Sequence, residues 1–188
     1  MSPTVAEPTN RLLPIWRRFG RDRTGAAAVE FALLAPVMIT IYFGLVETCE
    51  AVLAERKADH VASAVGDLVA QSSGALAASD LDDIFAIGNT VMAPFATSTL
   101  KMRITSLTPN GAGNPAVTWS YGSGMTALAA GTAKALPVTV SSGDSVIMSE
   151  VTYTYNSPLK YVMPNALTFN EVYYLRPRQT SQITCSDC

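Results

Sequence analysis

Residues 26–46, AAAVEFALLAPVMITIYFGLV, form one apolar run that carries a single charge, Glu30. At about 1.5 Å of rise per residue, a helix of this length reaches roughly 32 Å, enough to cross the hydrocarbon core of a bilayer. The run therefore predicts a transmembrane helix, with Thr40 as its only mildly polar interruption and Pro36 as a kink or a place where a neighbour packs. Hydrophobic residues make up 48% of the 188-residue chain and charged residues 15%. That balance is apolar for a soluble protein and fits one span plus one domain with its own core.

Charge is divided across this run. Before residue 26 five arginines (Arg11, Arg17, Arg18, Arg21, Arg23) stand against Glu7 and Asp22, a net of +3. Beyond Gly25 eight basic residues stand against thirteen acidic ones, a net of −5. Basic residues abutting a span stay on the cytoplasmic side, so residues 1–25 are expected inside and the rest exported, as in a single-pass protein. The same arginines could form a nucleic-acid arm. They precede a span and interleave only with Trp16 and Phe19, which argues against nucleic acid as a partner.

A carboxylate inside a span generally has a partner, because its burial costs about 2.5–3.5 kcal/mol at the bilayer centre and less towards the interface. Glu30 lies one turn inside the boundary. The run could be an uncleaved anchor, a secretory signal, or a helix whose leader is cut away before it. Signal peptides have shorter apolar regions of about 7–15 residues followed by a small-x-small site, whereas this run is longer and no Ala-x-Ala directly follows it.

The stretch Arg-Asp-Arg-Thr-Gly25 followed by Ala-Ala-Ala-Val-Glu30-Phe31-Ala-Leu-Leu-Ala-Pro36 resembles the N-terminus of TadE/TadG-like proteins, the pseudopilins of the tight-adherence (Flp) pilus system. Weaker echoes lie in Tyr-Asn-Ser-Pro158 and Leu-Arg-Pro-Arg178. The resemblance implies cleavage by a prepilin peptidase between Gly25 and Ala26, with Glu30 as the fifth residue of the mature chain and Phe31 beside it. It further implies a minor pilin-like subunit whose partners are that peptidase, other pilin-like subunits, the assembly machinery and the membrane. A new amino terminus at Ala26, about one turn from Glu30, would supply the cation that the buried acid needs, within one subunit or between two. Otherwise Glu30 reaches the headgroups beside Arg23. Ala26, Ala27, Ala28, Ala32, Ala35 and Gly44 allow close approach between helices.

Beyond the span, residues 47–72 have helix-forming composition, with Val46, Leu53, Val61, Val65 and Leu68 at helical spacing and Glu50, Glu55, Arg56, Asp59 and Asp67 on the opposite, outer face. A second helix is expected from Ser79, capped by Ser79-x-x-Asp82, with Leu81, Ile84, Phe85, Val91, Met92 and Phe95 on one face and Pro94 at its end. The Asp80, Asp82, Asp83 cluster lacks the EF-hand pattern and reads as capping. From residue 100 the period becomes two: strands are expected from Leu100, over residues 116–121, over 145–155, and over about 171–183 with an interruption at Pro177. Residues 110–115 read as a turn and 122–136 as a loop. The result is an α+β domain over residues 73–188, a mostly antiparallel sheet of about four strands covering the long helix.

Of three cysteines, Cys185 and Cys188 lie three apart at the C-terminus, and an exported domain predicts a small disulfide loop there. A redox motif would open a helix after a strand, and a zinc site would need two further ligands. Cys49, just beyond the span, is left without a mate in this chain, either free or bridging two subunits. His60 is the single histidine, and no G-x-S-x-G, H-E-x-x-H, phosphate loop or dinucleotide fingerprint occurs. Neither an enzyme nor a cofactor is expected.

Overall fold

A computed structural model describes residues 24–110, 113–137 and 139–188. The expected basic leader, except for Thr24 and Gly25, lies outside them. Helix α1 spans Thr24–Ala70 and contains Pro36. The chain divides into two units, Met1–Gly44 and Leu45–Cys188.

The second unit is the head. It comprises the last turns of α1, a short strand β1 (Ala75–Leu76), helix α2 (Ala78–Val91), β2 (Leu100–Pro109), β3 (Pro115–Ser123), β4 (Val146–Tyr155), β5 (Leu167–Leu175) and β6 (Thr184–Cys185). Strands β2 to β5 form an antiparallel sheet in the order β3-β2-β4-β5. The expected α+β architecture is thus present. A separate parallel pair, β1 with β6, ties the C-terminal segment to the stretch after α1.

Alternation along the strands decides which face receives the helices. Leu100, Met102 and Ile104 of β2, Trp119 of β3 and Ile147, Val151, Tyr153 and Tyr155 of β4 join α1 and α2 in one core. Thr118 has no partner opposite it, since Ser106 pairs with Trp119 and Leu107 with Val117. This bulge turns Val117 onto the other face, where it meets Leu107 and Met148 under Leu128 and Leu136. Residues 122–136 therefore roof a second, smaller core.

Two boundaries differ from expectation. Strand β5 starts at Leu167 and stops at Leu175, because Pro177 offers no ladder donor and the next N–H, that of Arg178, goes to the carbonyl of Ala70 at 2.9 Å. Helix α2 starts one residue earlier than expected, at Ala78. Asp80, rather than Asp82, reaches back, its Oδ2 accepting the Ala77 N–H at 2.8 Å. Asp82 instead accepts a hydrogen bond from the Tyr121 hydroxyl at 3.1 Å.

Candidate functional site

Gly25 and Ala26 lie in the first turn of α1, both exposed, and a Cβ on Gly25 would meet nothing within 4 Å. Glu30 and Phe31 follow, also exposed, with Phe31 at 72% and Leu33 at 70%. Glu30 has no hydrogen bond or salt bridge among the described residues. Large apolar side chains from Val29 to Leu45 are exposed around the whole circumference of the helix. A helix apolar on all sides needs lipid or other helices around it. It is long and apolar enough to cross a membrane. Within it, Thr40 Oγ1 donates to the Pro36 carbonyl at 2.8 Å, so its hydroxyl is satisfied inside the helix.

The environment changes at Glu47, one residue past the apolar run. Its side chain is fully buried. Oε1 accepts from Ser157 Oγ at 2.9 Å and from the Tyr161 N–H at 2.7 Å, while Oε2 accepts from the N–H groups of Val162 and Met163 at 2.8 Å each. Burial pushes this carboxyl upward, yet the three backbone donors and the Ser157 hydroxyl together outweigh it and hold the pKa at about 2. Glu47 is a fixed anion that folds residues 157–163 against the base of the head.

Further along α1 the buried face is built of small residues: Ala51, Ala54, Ala58, Val61, Ala62, Val65 and Val69. This corrects the expected stripe, since Leu53 is exposed and Leu68 half-buried. Alanines let the sheet approach the helix closely, and the two larger leucines fall at the margins.

The charged residues expected on an outer face also divide. Glu55 and Arg56 are exposed, but Glu50 accepts from the Tyr155 hydroxyl at 3.1 Å, Asp59 accepts from the Tyr173 hydroxyl at 2.9 Å, and Asp67 pairs with Arg178. Burial first and Glu50 second raise the Tyr155 pKa, so this phenol stays a donor. Ser157 and Arg178, which belong to the two weaker echoes read in the sequence, thus grip opposite ends of the packed part of α1.

At the C-terminus, Cys185 and Cys188 form the expected disulfide, with Cα atoms 5.7 Å apart. Cys49 is free and exposed. A cleft of about 560 Å³ opens beside Glu50, lined by Leu53, Phe95, Tyr153, Tyr155 and Pro158 among others. Glu47 was missed in the sequence; its one signal is that it is the first acid after the apolar run. The loop that satisfies it is more than a hundred residues away.

No curated protein and no solved structure matches the chain. Residues 25–67 match the family model of TadE-like proteins, a segment that starts at Gly25 and runs through the apolar helix, Glu47 and most of the alanine face. Over that segment the resemblance read from the sequence is borne out: these residues are similar to TadE-like proteins.

Proposed function

We propose that the chain is a minor pilin-like subunit for assembly of a tight-adherence pilus or a related secretion apparatus. It is inserted with its N-terminus in the cytoplasm and its head exported from the bacterial inner membrane, and a prepilin peptidase matures it between Gly25 and Ala26. It is a substrate and a structural component, with no catalysis of its own. The observation that carries the reading is the family match beginning at Gly25, joined to an exposed apolar helix with one acid, Glu30, a turn further on. An amino group freed at Ala26 supplies a cation within reach of that acid, and Phe31 lies beside it for packing between helices.

N-terminal sequencing of the protein isolated from cells with an active prepilin peptidase tests this. The mature chain is expected to begin at Ala26. A chain that keeps Met1 would overturn it in favour of an uncleaved single-pass envelope protein whose head binds another envelope component or a surface ligand. The cleft beside Glu50 is the feature that favours this second reading.

A further inference from the structure

Residues 157–163 present a concentration of exposed apolar side chains outside the apolar helix: Leu159 is 47% exposed, Tyr161 58% and Val162 50%. Exposed side chains of this kind on the surface of a folded head call for a partner. Their position along α1 identifies it. The N–H groups of Tyr161, Val162 and Met163 all bind the Glu47 carboxylate, so the loop's backbone lies within a side chain's length of the helix position that directly follows Val46.

The interfacial layer on each side of a hydrocarbon core is about 5–8 Å thick, which corresponds to roughly four or five residues of helix. Residues 47–51 therefore cross that layer, and the loop clamped at Glu47 is level with it. Val52 and Leu53, exposed at the same end of the head, extend the apolar collar. The composition of the loop suits this depth: an aromatic ring with a polar tip and a lysine on a flexible stem are the side chains that partition to the headgroup level. Lys160 is exposed, and its φ of 51° is the left-handed conformation that ordinarily favours glycine. The turn made there lets three successive N–H groups face one anion while the side chains of residues 159–162 face outward.

We infer that residues 159–162 are a second membrane contact, an interfacial loop resting in the headgroup layer where α1 leaves the bilayer and held at that depth by Glu47. The inference rests on the reading of α1 as a membrane span.

The test uses the full chain with Cys49→Ser, reconstituted into bilayer discs of phosphatidylcholine and phosphatidylglycerol. A nitroxide is placed at one of three new cysteines, Leu34→Cys, Val162→Cys or Gly113→Cys. Collision with oxygen, which partitions into lipid, is compared with collision with a water-soluble nickel chelate. The ratio at Val162 is expected to be several-fold higher than at Gly113 in the β2–β3 turn and to approach that at Leu34. A lipid-like ratio at Leu34 with a water-like ratio at Val162 would overturn the loop contact and leave the span standing. A water-like ratio at Leu34 would overturn the span itself, and the loop contact with it.

Discussion

Asp187 Oδ1 accepts the backbone N–H of Ala78 at 2.9 Å, so the disulfide loop at the C-terminus caps the first turn of α2. Ala77 has no side-chain oxygen with which to cap the helix, and the acid comes instead from 109 residues away. The Trp119 indole N–H donates to the Ile183 carbonyl at 2.7 Å and fixes the approach of the same segment.

Asp187→Ala removes this cap. It is expected to cost about 0.5–2 kcal/mol of head stability, read as a lowered urea midpoint with an unchanged slope. Replacing both Cys185 and Cys188 by Ser releases the loop that presents the acid. Loop-closure entropy for so short a ring gives about 2 kcal/mol, and the double variant combined with Asp187→Ala should lose less than the sum, because the cap depends on the loop.

Glu47 makes stability depend on pH in a defined window. Its pKa is depressed in the folded head from 4.5 to about 2, so the stabilisation is fully present above the unfolded value and is lost as pH falls towards 2. Urea midpoints of wild type should drop between about pH 4.5 and 2 more steeply than those of Glu47→Gln. Parallel curves for the two proteins would refute the role assigned to this carboxylate.

Gly88 packs closely against side chains of both β2 and α1. A Cβ there would lie 2.8 Å from Met102 Sδ, 2.9 Å from Val65 Cγ2 and 3.3 Å from Val61 Cγ1. Gly88→Ala gains up to about 1 kcal/mol of helix propensity, but overpacking in a close-packed core costs about 1–3 kcal/mol. Sterics should win, leaving a net loss of about 1 kcal/mol in thermal or urea unfolding. A stabilised variant would mean that Met102 and Val65 repack freely.

Glu30→Ala is expected to insert as well as wild type, because removing a charge from a span only lowers the cost of insertion. On the proposed function, association with pilin-like subunits should fall sharply, measured by co-isolation after crosslinking in membranes. Undiminished association would remove Glu30 from the assembly.

Much of the fold could be read from periodicity. Leu81 and Phe85 on α2, Met92 just past its end, and the alternation through Leu100, Met102, Ile104 and Val151, bury as spacing predicts, since side-chain direction follows backbone geometry. On α1, Val61 and Val65 bury as expected, but its buried alanines were passed over because valine and leucine outrank alanine in hydrophobicity, whereas the sheet packs against residues small enough to let it approach. The start of β5 at Leu167 depends on its pairing with Tyr155, a relation between strands that composition does not encode.

The chain's own sequence determined the apolar helix, its solitary Glu30, the break in charge around it and the antiparallel head, because length, polarity and periodicity are local properties. Only the tertiary structure decided that Glu47 is a buried anion held by residues 157–163, that Asp187 caps α2, and that Glu50, Asp59 and Asp67 tie the part of α1 within the head to β4, β5 and the segment after β5. Each of these depends on a donor supplied from more than 100 residues away, and an acidic side chain carries no mark of which distant N–H, hydroxyl or guanidinium will reach it.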